Sequence, residues 1–184
     1  MDQQFSLDQT IEDLSTRLKE IELVEKTLEN LPPEYFAYNS ALRRHELKRQ
    51  PKFPSKVEHI PPSDYNYLVD AGRALRDTIL AIRKRSGLDI KFTLLIEGMS
   101  SMDSYGTKTC IGSKWEDNET LSYRRALSLV NLWKLSNVEF DPSYCDLQVA
   151  GSGTGGLDRY NGNLEQLNQR ILIQILPKVG DLKK

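Results

Sequence analysis

At 184 residues the chain has room for one domain of ordinary size plus an appendage. Its 39% hydrophobic and 28% charged residues make it too apolar for a disordered chain. With 25 basic against 26 acidic residues, the formal charge of −1 excludes a global attraction to nucleic acid or to an anionic membrane.

Residues 7–30 have the pattern of a helix. Ser6 is placed to cap it, with Gln9 in the capping-box position. Leu7, Ile11, Leu14, Leu18 and Ile21 alternate steps of four and three, and Leu28 resumes the series after Glu25. That is a heptad seam, compatible with a dimerising stalk or with a helix packed on its own domain. Leu31-Pro32-Pro33 ends it, because proline cannot donate to the helical ladder. Tyr35 to Phe53 is strand-like and closed by Pro51 and Pro54. His45 within it and His59 beyond it are expected at a surface, edge or loop, since no second His, Cys or acidic cluster stands at metal spacing.

Ser63 or Asp64 is placed to cap a second helix reaching Arg85, with Tyr67, Leu68, Ala71, Leu75, Ile79 and Ile82 as its apolar stripe. Arg83, Lys84 and Arg85 suit the negative end of that helix dipole, which accounts for the basic cluster without nucleic acid. Asp89–Gly98 alternates as a central strand, followed by a polar loop of about 20 residues. A third helix runs from Asn118 to Leu135, a strand from Cys145 to Ala150, and a last strand from Arg170 to Leu176, where Pro177 is expected to stop it. The order predicts an α/β chain, an α+β two-layer sandwich with helices on one face of a mixed sheet and an added N-terminal helix. Its parts would be residues 1–33 as helix and linker, 34–178 as the domain, and 179–184 as a tail.

Gly151-Ser152-Gly153-Thr154-Gly155-Gly156 satisfies GxGxxG after a strand, but no strong helix opens at it and no second βαβ unit follows, so a tight turn is expected rather than a dinucleotide site. Ser100, Ser101 and Ser104 have no GxSxG elbow, and two histidines leave little for acid–base work. No catalytic group, metal or cofactor is expected. Cys110 and Cys145 are too few for a disulfide scaffold; two thiols, or one bridge in an oxidising compartment, both fit. No run approaches the ~20 apolar residues of a membrane span, and the first 30 residues lack the apolar core of a secretory signal.

Four short motifs then occur in a telling order: Gly98-Met99-Ser100-Ser101, the run from Asn118 to Ala126 (NETLSYRRA), Gly151-Ser152-Gly153, and Asn168-Gln169-Arg170-Ile171. They resemble the OmpA-like domains, in which a strand ends in Gly-His-Thr-Asp, Asn-x-x-Leu-Ser-x-x-Arg-Ala opens a helix, a later strand ends in Gly-x-Gly, and Asn-x-Arg-Val begins the last strand. The likeness covers roughly residues 40–178. It implies the OmpA-C-like fold and a groove for the stem peptide of peptidoglycan. Arg125 would pair there with a ligand carboxylate through its planar fork. Ser101 stands where the family has the aspartate that takes the ligand ammonium. A hydroxyl brings no charge, so a contact worth about 1.5–3 kcal/mol is weakened, roughly one to two decades in affinity. Asp103 could substitute if the loop bends back. Asn118 and Ser122 are further ligand candidates by resemblance, though a first-turn structural role fits both, and Arg125 could instead brace the loop.

Residues 121–133, 150–156 and 168–180 are also similar to envelope proteins of the MotB/ZorB-like stator type, which place one membrane-spanning helix and a short linker before this domain. The resemblance implies a non-catalytic module on the periplasmic side of the bacterial envelope, or outer-membrane associated. It would tether a membrane-anchored, stator-like complex to peptidoglycan and pair as a homodimer through residues 7–30, with a channel-type membrane partner. A Met1 that is the true start would instead imply the cytoplasm. Met99 and Ser101, which depart from the family pattern, leave a second expectation open: the same fold without wall binding, serving protein interaction or assembly.

Overall fold

A computed structural model describes residues 2–86, 88–106, 108 and 116–182, with backbone alone for 2–6, 88 and 179–182. The chain begins with α1 (Asp2–Glu29), followed by β1 (Phe36–Asn39), β2 (Arg44–Leu47), a 3-10 turn (Pro62–Asp64) and α2 (Tyr65–Arg85). Then come β3 (Leu88–Gly98), the one-turn α3 (Met102–Tyr105), α4 (Asn118–Leu135), β4 (Cys145–Gly151), a 3-10 segment (Gly162–Asn168) and β5 (Ile171–Leu182). The five strands form one mixed sheet in the order β1-β2-β5-β3-β4. Only β3 and β4 are parallel, as the helical crossover α4 between them requires.

The alternation in β3 decides which face is dry. Ile90, Phe92, Leu94 and Ile96 join Ile171, Ile173 and Ile175 of β5 and Cys145 of β4 in the core. Onto that face pack Leu68, Ala71, Leu75, Ile79 and Ile82 of α2 and Ala126, Leu129, Val130 and Trp133 of α4. The indole of Trp133 donates to the Leu68 carbonyl at 2.8 Å, so its one polar atom is satisfied in the core. Burial and then the Asp146 charge push the Cys145 thiol up to about 11, and it is a free thiol. Cys110 lies outside the described residues.

The two-layer α/β architecture and the N-terminal helix agree with expectation; several local expectations do not. α1 starts at Asp2, so Ser6 lies inside it rather than at its cap; two glutamines extend it, and an acidic residue suits its first turn. The strand-like region is a hairpin, β1 pairing antiparallel with β2. His45, expected at the surface, is 3% exposed, because β2 lies beneath the end of α1 and between β1 and β5. Asp64 makes no side-chain cap for α2; its carboxylate instead accepts from Lys52 N–H at 3.3 Å. Ser86 takes the C-cap of α2.

Pro177 does not stop the last strand. It sits opposite Phe92, whose N–H points away from β5 to the Tyr144 carbonyl. The Phe92–Pro177 pair is therefore a non-hydrogen-bonded one, and the missing proline N–H faces the side where β2 has already ended. The strand runs to Leu182, into the segment expected as a tail.

α1 is divided in its use. Val24 and Leu28, together with Leu31, are buried in the domain core. Leu7, Ile11, Leu14 and Leu18 are 57–59% exposed. No described helix is long and apolar enough to cross a membrane.

Candidate functional site: a closed arginine pocket

The carboxyl ends of the parallel strands β3 and β4 lie side by side, with Gly98 opposite Gly151. Both glycines are required by close approach. A Cβ on Gly98 would stand 1.9 Å from the Ser122 carbonyl oxygen, and one on Gly151 would stand 2.3 Å from the Tyr123 nitrogen. The first turns of α4 thus rest directly on the bare strand ends.

Side chains lock this contact. Ser122 Oγ accepts from Gly153 N–H at 2.8 Å and donates to the Glu119 carbonyl at 2.8 Å. Ser152 N–H reaches the Gly98 carbonyl at 3.1 Å, and Ser100 N–H reaches the Gly153 carbonyl at 2.9 Å. The glycine-rich run is therefore a turn, with Gly153 at φ 56° where a side chain would be strained. Asp117, not Asn118, caps α4 by accepting from Thr120 N–H at 2.6 Å. Asn118 is buried, and its amide donates to the Gly106 carbonyl at 2.8 Å.

α4 carries Arg125 inward two turns after its start. The guanidinium is fully buried (0% exposed). Its Nε donates to the Val57 carbonyl at 3.1 Å, and Nη2 donates to the Pro54 carbonyl at 3.0 Å and to Gln169 Oε1 at 3.1 Å. The Phe53 ring lies 4.8 Å from the guanidinium carbon. Nη1 has no hydrogen-bond partner, and no carboxylate bonds the cation. Burial lowers its pKa to about 10, with the Glu58 charge opposing, so it stays charged at neutral pH.

Ser101 is also fully buried, and its hydroxyl accepts from Gln169 Nε2 at 3.1 Å. One carboxamide therefore links the two positions: its oxygen faces the arginine and its NH2 faces the serine. Asp103 lies exposed on α3, and none of the hydrogen bonds of Arg125 goes to it. Of the five residues expected at a site, Arg125 and Ser101 are joined through Gln169, Asn118 and Ser122 hold the loop junctions, and Asp103 stands apart.

Sequence reasoning missed the residues that close the pocket. The segment 51–61 lies across Arg125 and supplies two of its acceptors, yet carries no pattern beyond its prolines. Gln169 lies within the NQR motif, but nothing in sequence links it to Ser101. A second arginine, Arg159, pairs with Glu165 at 2.6 Å and donates to the Ser100 carbonyl at 3.0 Å. Burial pushes the Glu165 carboxyl up, but hydrogen bonds from Met102 N–H, Asn168 and Arg159 outweigh it and hold the group below the ordinary range. Arg170, 2% exposed, bonds Glu46 at 2.9 Å. Among the described residues no group of His, Cys, Asp and Glu could hold a metal ion.

The sheet order, the one-sided helices and the glycine-terminated strand pair give this chain the OmpA-C-like fold. The putative MotB-like protein of Desulfovibrio vulgaris has the same fold, with a TM-score of 0.50 over 94% of this chain and 98% of that one at 12% identity. The periplasmic domain of Helicobacter pylori MotB matches with a TM-score of 0.47 at 11% identity, covering 78% of this chain and 88% of that one. The peptidoglycan-associated lipoprotein of Burkholderia pseudomallei matches at 0.43 and 13% identity, covering 71% and 91%. At such identities the likeness concerns the fold. No family model and no curated protein matches the sequence.

Proposed function

We propose that this chain is a non-catalytic OmpA-like module of the bacterial cell envelope. With its stem-peptide groove closed from within, it works as an interaction and assembly domain. The observation that carries this reading is the state of Arg125. The residue that the resemblance would give to a ligand carboxylate is sealed, and protein oxygens from Pro54, Val57 and Gln169 occupy its donors. The Gln169 carboxamide also fills the gap to Ser101, with one acceptor and one donor where a zwitterionic ligand would need both. The stem-peptide anchoring reading keeps the support of the resemblance and of the shared fold, but it requires the 51–61 segment to move.

Retention on purified sacculi separates the two. We expect wild-type protein to pellet with sacculi no more than an unrelated soluble protein does. Saturable retention of wild type that disappears in Arg125→Lys, in which the charge is kept and the fork lost, would restore wall anchoring.

The free part of α1 supports a homodimer. Its exposed stripe has the heptad spacing, and on a helical wheel it lies roughly 90° from the Val24–Leu28 face that docks on the domain. In a parallel pair, Arg17 at position g faces Glu22 at position e of the second copy, an attractive contact. Such a stalk would bring two domains together next to a channel-type membrane partner.

A further inference from the structure

We infer that residues 51–61 are a displaceable strap, a cover that opens over Arg125 while the sheet and α4 stay folded. This goes beyond the assembly reading, which needs only that the pocket be closed.

Three observations carry the inference. First, the strap is joined to the body by few backbone bonds. It has no regular structure apart from turns, and Pro51, Pro54 and Pro61 have no N–H to give. Phe53 N–H and Val57 N–H bond within the strap, to Pro51 at 3.0 Å and Pro54 at 3.2 Å, and Lys52 N–H bonds a side chain, Asp64. Its carbonyls meet the body at Arg125.

Second, the ends are fixed while the middle is held by side chains. The Gln50 amide exchanges two hydrogen bonds with Ile171 of β5, at 2.9 and 3.1 Å, and the 3-10 turn beginning at Pro62 leads directly into α2. Between these ends the buried rings and branches of Phe53 and Ile60, and Lys56 over Tyr105 at 5.1 Å, press the strap down. Lys56 stands at φ 61°, a conformation that a non-glycine residue adopts only when its surroundings hold it there.

Third, the covered group is poorly served. A guanidinium with no solvent exposure, no carboxylate and one nitrogen lacking a protein partner gains less from the neutral oxygens of Pro54, Val57 and Gln169 and the Phe53 ring than it would from a charged acceptor. Closure therefore removes a charge from water without fully compensating it, and the open state recovers that hydration.

Two measurements on the full chain test this without any ligand. Amide hydrogen exchange resolved by peptide is expected to show 52–60 exchanging at least ~10-fold faster than β3, β5 and α4, through an opening that is less than global. Modification of Arg125 by an arginine-selective dicarbonyl, read by mass spectrometry, should follow that same opening. Phe53→Ala removes one of the two apolar anchors and should speed Arg125 modification a further ~10-fold while β3 and β5 keep their protection. The milder Phe53→Leu keeps the test usable if the alanine variant does not fold. Exchange of 52–60 and modification of Arg125 at the rate of global unfolding would overturn the strap. So would a Phe53 variant in which Arg125 stays as protected as in wild type. Sacculus retention is read independently: a strap that opens in a protein that ignores sacculi leaves the assembly reading in place, and a strap that stays shut overturns this inference without touching that reading.

Discussion

At the residue scale, His45 shows how little of a buried position can be judged from its type. His45 is buried against the end of α1 with neither ring nitrogen hydrogen-bonded. Burial lowers its pKa below 6.5, and the nearby carbonyls of Leu28 and Glu29, which favour the charged form, do not offset this. The unfolded chain therefore takes up a proton at this site before the folded one does. The stability that His45 contributes is complete above about pH 6.5 and is lost as the pH falls toward the folded value, by at most ~1.4 kcal/mol per pH unit. Urea midpoints at pH 7.5 and 5.5 should fall toward acid in wild type and fall less in His45→Gln; equal slopes would show that the histidine is not the source.

Gly98 gives a second test at this scale. The Cβ of Gly98→Ala would meet the Ser122 carbonyl, part of the helix backbone rather than a movable side chain. We expect a loss of ~2 kcal/mol or more, the upper part of the overpacking range. Gly106→Ala meets nothing within 4 Å, so its cost should come from backbone strain alone at φ 61° and ψ −132°, a region open essentially to glycine, on the order of 1–3 kcal/mol. Denaturant unfolding with unchanged m-values would establish both figures.

At the scale of elements, α1 is the informative case. Its period announces a seam, and the sequence leaves open whether the seam meets the domain or a second copy. The folded helix is 28 residues, ~42 Å long, and it meets the domain only from Glu20 and Ile21 onward, over its last three turns. The remaining stripe of Leu7, Ile11, Leu14 and Leu18 stays in water. Replacing Leu14 and Leu18 with Glu should leave thermal unfolding of the domain within a few degrees of wild type while sedimentation mass falls by half. A wild-type protein already monomeric at high concentration would remove the dimer. β5 gives the complementary case. Pro177 in the sequence says that a strand ends, yet whether proline interrupts depends on which side its nitrogen faces, and only the neighbouring strands decide that.

At the scale of the whole molecule, the core was largely legible and the pocket was not. Leu68, Ala71, Leu75, Ile79 and Ile82, and Ile90 through Ile96, were readable because burial repeats with the period of the element that carries it. The motifs around Gly98, Asn118, Gly151 and Asn168 were readable as a set because each fixes a backbone junction: two glycines that admit α4, a helix start and a strand start. The meaning of Arg125 was not readable. Its type and its spacing in α4 are the same whether the space before it is an open groove or the underside of residues 53–58.

The sequence by itself determined most of the residues that turn inward and where most helices and strands fall, since these follow from local periodicity and turn chemistry; the OmpA-C-like fold was implied by the resemblance of four ordered motifs. Tertiary structure alone decided that the arginine is covered, that His45 is interior, that a proline can lie within the last strand, and that half of the first helix is left over. Each of those depends on what a distant segment does with the space opposite, and the residues concerned are separated by tens of positions along the chain.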